Sequence, residues 1–164
     1  MNEDSTRSEA LPPLLLDIGC GSHKAPGHIG LDRLPAPGVD VVRDLVRGLP
    51  FNDQTFDGMR AHHVIEHFAG DDLIFVVEEM ARVCKPGAVL EVTVPDATSE
   101  NRYRDPTHAT RDWAADSFML WCVDAEGEYL IHDRPSYERR AKLAVLTTAV
   151  NTNADRLYRL QVLA

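Results

Sequence analysis

The sequence is short of the features by which several functions are usually recognised. It has three cysteines in 164 residues, at Cys20, Cys84 and Cys122, and none of them makes a Cys-x-x-Cys pair. That spacing excludes a disulfide framework or a thiolate zinc site and leaves three small apolar residues in a reducing compartment. No apolar run approaches the ~18 residues that would cross a bilayer. The opening stretch MNEDSTRSEA is polar and acidic, unlike a secretory signal, so a cytoplasmic location is expected. Positive charge is scarce as well: 17 Lys and Arg stand against 26 Asp and Glu, a formal net charge of -9. Phosphate neutralisation needs clustered cations, so general nucleic-acid binding is not expected. The basic pairs Arg102 with Arg104 and Arg139 with Arg140 read as solvated faces.

What is present points to one α/β domain. A hydrophobic content of 44% is ordinary for a chain that builds its own core. Residues 1–13 read as a flexible tail and 14–164 as a single domain, with 97–140 an insertion covering a ligand crevice. Leu14 to Ile18 is a buried strand running into Gly19 and Gly21. His28 to Asp32 is a second strand, Val39 to Val42 a third, and Phe56 to Val64 a fourth. Asp71 to Cys84 is the clearest helix, with Leu73, Val76, Val77, Met80 and Val83 on one face and Glu78, Glu79 and Arg82 off it. Lys85-Pro86-Gly87 ends it, and Ala88 to Val94 forms a fifth strand. A further helix is expected around Asp112 to Cys122. Lys142 to Val150 and Leu157 to Leu163 then form an antiparallel hairpin. The sum is a Rossmann-like, mostly parallel sheet of seven strands, or a truncated version of it. One link is unusual: residues 20–27 must connect two parallel strands, where a dozen or more residues are normal. Either that crossover is a short loop or the second strand is misplaced.

Two motif readings fail on spacing. A dinucleotide loop needs a third glycine at position 24, which is Lys24, and a helix after it. His63-Val64-Ile65-Glu66-His67 fits a His-x-x-Glu-His zinc pattern, but that pattern needs one helix face, and this segment follows a strand. No metal is expected.

In register, Asp17-Ile18-Gly19-Cys20-Gly21, Leu49-Pro50-Phe51, Phe56-Asp57, His63-Val64-Ile65-Glu66-His67 and Arg82-Val83-Cys84-Lys85-Pro86-Gly87 resemble the class I S-adenosylmethionine-dependent methyltransferases, in particular the small type 11 group. The likeness covers Leu14 to about Asp96; His23 stands where that family often has a further glycine. It implies S-adenosylmethionine as cofactor. Gly19 and Gly21 would let backbone approach the ligand, and Asp32 would accept from both ribose hydroxyls. By the same likeness Asp44 would meet the adenine amino group, Leu45 its ring, His63 the methionine moiety, and Asp17 the tail ammonium. Methyl transfer needs alignment, exclusion of water and at most a base, for which His67, Asp105 and His108 are the candidates. The expected acceptor is a small molecule or saccharide-like compound, without membrane association and with a homodimer left open. The alternative is a catalytically silent module of the same fold that acts in binding or assembly.

Overall fold

A computed structural model describes residues 11–131 and 139–164. The expected tail therefore lies largely outside the described residues. Seven strands form one sheet in the order β3-β2-β1-β4-β5-β7-β6. β1 (Leu15–Ile18), β2 (His28–Asp32), β3 (Val41–Val42), β4 (Phe56–His62) and β5 (Cys84–Pro95) run parallel. β6 (Leu143–Val150) and β7 (Asp155–Val162) make the expected hairpin, with β7 antiparallel to β5. The seven-stranded Rossmann-like reading holds. Among the described residues no helix is long and apolar enough to cross a membrane.

The short crossover is real, and it is a loop. β1 and β2 are parallel neighbours from Leu15 opposite His28 to Ile18 opposite Leu31. Specific bonds replace the missing helix. Asp17 Oδ2 accepts from the Ala25 amide at 2.7 Å, and Cys20 N donates to Leu31 O at 3.2 Å. Asp40 Oδ2 accepts from both Lys24 Nζ and Gly30 N at 2.7 Å. The loop lies flat on β2 because Gly30 has no side chain: a Cβ there would stand 2.6 Å from Gly38 O and 2.8 Å from Cys20 Sγ.

One sheet face carries the core. Leu16, Ile18, Met59, Ala61, Leu90, Val92, Val94, Tyr158 and Leu160 are buried. They pack with Val76, Val77, Met80 and Val83 of α1 (Gly70–Val83), the only α-helix among the described residues. Asp71 and Asp72 in its first turn and Arg82 in its last suit the helix dipole. Arg82, held by Glu79 of the same helix at 2.6 Å, ties α1 to the preceding loop through Asp53 at 2.7 Å and the carbonyl of Phe51 at 2.9 Å.

The other face is polar. Asp17, Arg60, Glu91 and Arg159 are successive register partners across β1, β4, β5 and β7. They form a row of alternating charge, closed by contacts of 3.2 Å (Arg60–Asp17) and 3.4 Å (Arg159–Glu91). A parallel sheet normally needs cover on both faces. Here opposite charges stand directly across from one another, from the buried Asp17 to the exposed Glu91 and Arg159, an arrangement that stabilises a polar face.

Two expectations change. Residues 112–122 do not form a helix; a single 3₁₀ turn spans Met119–Trp121. Trp113 and Phe118 are instead drawn into an aromatic cluster with Tyr158, with Phe118 and Tyr158 ring centroids 4.8 Å apart. Burying three large rings outweighs local helix preference. Glu78, placed off the apolar face of the helix, accepts from Trp121 Nε1 at 3.1 Å and from the Arg140 and Ala141 amides at 3.0 and 2.7 Å. It anchors the returning chain to α1.

Candidate active site

A cavity of about 390 Å³ opens at the carboxyl ends of β1, β2 and β4, within the usual range for small ligands. Gly19, Asp32, Asp44, Leu45, His63, Val64, His67, Asp105 and Thr107 are among its walls. Seven of the ten residues picked from sequence line it. Gly19 has φ +60°, and a Cβ there would meet Val64 Cγ2 at 2.3 Å, so the loop exists only with glycine. Asp32 Oδ2 accepts from Gly21 N and Oδ1 from Leu34 N, each at 2.9 Å. Those two bonds fix the carboxylate and leave each oxygen a further acceptor site. Asp44 caps the 3₁₀ turn Leu45–Arg47 by accepting from Val46 N at 3.3 Å.

Three picks lie elsewhere. Asp17 is fully buried, bonded to Ala25 N and Arg60, away from the cavity wall. Gly21 sits behind the wall and acts through its amide on Asp32. His108 is buried behind His67, the rings 5.0 Å apart in an edge-on contact. Sequence reasoning passed over Arg33, Arg43 and Thr107, which also line the cavity. No motif marks them, since loop folding alone brings them there.

His63 follows β4 with φ +54°, a left-handed backbone uncommon for a residue with a side chain. Its amide donates to Thr93 O at 2.9 Å, the last bond to β5 before the chain turns into the 3₁₀ turn Ile65–His67, where Glu66 is buried. His63 Nδ1 meets Glu66 Oε1 at 3.1 Å, and this bond raises the His63 pKa despite burial. His62 has the opposite sign: burial, then the neighbouring His63, lowers its pKa. Farther round, Thr107 Oγ1 donates to Asp105 Oδ1 at 2.6 Å and lies 3.0 Å from His67 Nδ1. The Asp105 carboxyl is held below the usual range by its bonds from Thr107. Asp105 and Thr107 are thereby part of the cavity wall.

A glycine-walled cavity ends at a strand-tip carboxylate with spare acceptor capacity, on a sheet ordered 3-2-1-4-5-7-6. Comparison with known proteins gives the class. The chain belongs to the family described as Methyltransferase domain, whose profile matches residues 6–150. It is 34% identical over 117 residues to the Bos taurus protein named probable tRNA methyltransferase 9B, covering 61% of this chain and 25% of that one. The Mus musculus protein of the same name is 36% identical over 106 residues, 54% of this chain and 23% of that one. The chain thus spans about a quarter of the length of these curated relatives. A Haloferax volcanii methyltransferase solved with the Trm112 methyltransferase activator superposes with TM-score 0.61 at 15% identity, covering 93% of this chain and 83% of that one. A Thermotoga maritima protein described as a S-adenosylmethionine-dependent, possible histamine N-methyltransferase gives 0.59 at 18%, over 93% and 84%. At such identities the superpositions speak for the fold.

The family's cofactor is S-adenosylmethionine, and the residues present fit it. A Cβ at Gly19 would close the cradle, and Asp32 offers two acceptor sites beside it. The relatives' names also correct an expectation. Proteins 32–36% identical to this chain are named tRNA methyltransferases, which overturns a small-molecule or saccharide-like acceptor without nucleic-acid binding. Net charge misled because it averages over the surface, while RNA contact needs only a local cationic rim.

Proposed function

We propose that this domain transfers a methyl group from S-adenosylmethionine to a nucleotide of RNA, with transfer RNA as the acceptor class. The observation that carries this reading is the likeness, over 61% of this chain, to curated relatives named probable tRNA methyltransferases. The cavity rim supports it: Arg33 and Arg43 stand beside the cradle, where Arg33 could hold a backbone phosphate while a splayed-out nucleotide enters from the His67 side.

The cofactor supplies a methyl group already activated on a sulfonium, so the protein's work is mostly alignment. Asp32 would fix the ribose through its two hydroxyls. Asp44 and Leu45 would flank the adenine, and His63 would stand at the methionine end. His67, with Asp105 and Thr107 ordering its ring, occupies the end where an acceptor atom must arrive.

The test is transfer of radiolabel from methyl-tritiated S-adenosylmethionine to bulk tRNA lacking native modifications, with nuclease digestion of the product. Label in nucleosides is expected. Saturable binding of S-adenosylhomocysteine without label in RNA would defeat the acceptor reading and favour a silent module. No binding of the product cofactor by folded protein would defeat the enzymatic reading itself.

A further inference from the structure

We propose that Glu66, His67 and His108 form a binding site for one divalent transition-metal ion, at the acceptor end of the cavity. One potential ligand atom from each residue lies within 4.8 Å of the other two. Their hydrogen bonds show what those atoms carry. His108 Nδ1 lies 3.1 Å from the carbonyl of Arg102, which can only accept, so Nδ1 bears the proton and Nε2 a lone pair. Thr107 Oγ1 gives its proton to Asp105, so it accepts from His67 Nδ1 at 3.0 Å, and His67 Nε2 is likewise a lone pair. Glu66 is fully buried. Its Oε1 faces His63 Nδ1 at 3.1 Å, and its Oε2 has no partner among the described residues.

Each of the three residues thus keeps an acceptor that no hydrogen bond among the described residues uses, and the side chains lie close enough to share one ion. A buried carboxylate oxygen left bare is costly, and a cation is the simplest group to satisfy all three. The outer contacts are those of a metal centre: each ring gives its other N–H to a backbone carbonyl or a carboxylate-linked hydroxyl. Tetrahedral bonds of ~2.0–2.1 Å place ligand atoms about 3.3 Å apart, so the site need close by only about 1.5 Å. Two imidazoles and one carboxylate select the zinc and iron class over magnesium, which prefers oxygen.

The ligand set differs from the one the His-x-x-Glu-His pattern suggested. His63 holds Glu66 from outside, and His108, forty-one residues along the chain from His67, takes its place. The expectation of no metal is revised accordingly. Three protein ligands leave a position open toward the cavity that His67 lines. On the methyl-transfer reading, and only this step rests on it, the ion would orient and acidify an acceptor hydroxyl. The hydroxyl proton passes to solvent, its oxygen takes the methyl group, and S-adenosylhomocysteine leaves.

Metal-stripped protein is titrated with Zn2+ by calorimetry and with Co2+ by visible absorption, without cofactor or RNA. One equivalent of saturable binding is expected, with Co2+ bands of a low-symmetry site. Glu66→Gln and His108→Ala should each weaken it at least about tenfold, while His23→Ala, remote from the site, leaves it unchanged. Circular dichroism checks that each variant is folded; should Glu66→Gln fail, His67→Ala at the exposed ligand replaces it. Absence of saturable binding, or binding that folded ligand variants leave intact, overturns the proposal. A separate titration with S-adenosylhomocysteine reports on the cofactor site, so the two readings fail independently.

Discussion

Replacing Asp32 by asparagine is the most direct probe of the cradle, because the change keeps the side chain's shape and removes its charge. Each carboxylate oxygen already accepts one amide bond, from Gly21 or from Leu34, at 2.9 Å. On the proposed reading, the remaining lone pairs would accept from the two ribose hydroxyls. In Asp32→Asn one oxygen becomes an NH2 group, which faces one amide donor and one hydroxyl donor with a donor of its own. One loop bond and one charge-assisted ribose bond are lost. A hydrogen bond to a charged group contributes about 1.5–3 kcal/mol, so S-adenosylhomocysteine should bind about tenfold to a hundredfold more weakly. Calorimetric titration reads this directly, and a melting curve separates lost affinity from lost fold. An affinity within about threefold of the parent, in protein that still melts cooperatively, would refute the placement of the ribose at Asp32.

Other perturbations test the frame around it. Gly19→Ala forces a left-handed backbone on a residue with a Cβ and drives it into Val64; about 2–4 kcal/mol of destabilisation is expected, read as a lower melting temperature with loss of cofactor binding. Asp96 is buried and meets Arg156 Nε and Nη2 at 2.5 Å. Burial pushes its carboxyl pKa up, but the bonds from Thr98 and Arg156 outweigh it and hold the pKa below the usual range. Its stabilisation is therefore complete above the unfolded-state pKa of about 3.9 and lost as pH falls through the lower folded value. Asp96→Asn should cost about 3 kcal/mol at neutral pH and flatten the acid limb of a denaturation series; equal slopes in the two proteins would dismiss this role. Glu91→Lys sets like charges beside Arg60 and Arg159 on the polar sheet face; a loss of about 0.5–1 kcal/mol that shrinks with added salt is expected. No change in urea midpoint at low salt would mean that the charge row contributes nothing.

The sequence by itself determined the elements whose periodicity and punctuation are local. The helix at Gly70–Val83 shows its apolar stripe and stops just short of Lys85-Pro86-Gly87, which the structure takes into β5. The strand tips at Ile18 and Asp32 are set by the glycine loop and the acid that follow their apolar runs. The residues of the cavity wall were visible for the same reason: Gly19, Asp32, Asp44, Leu45 and His63 stand at strand ends or short turns, so position in the chain nearly fixes position in space. Resemblance added their roles, which no spacing rule supplies.

Only the tertiary structure decided the rest. A helix expected over residues 112–122 gave way to an aromatic cluster that includes Tyr158, a partner more than thirty residues away. The eight-residue crossover needed Gly30, Asp40 and Lys24 to meet before a loop could replace a helix, and no local signal reports such a meeting. The polar row Asp17, Arg60, Glu91 and Arg159 exists only once four strands are in register; along the chain it is four unrelated charges. His108 was chosen as a partner of Asp105, three residues earlier. In the fold Asp105 serves His67 through Thr107, while His108 turns to Glu66. Chain neighbours and spatial neighbours differ most where loops from distant strands converge, and the site lies at that convergence.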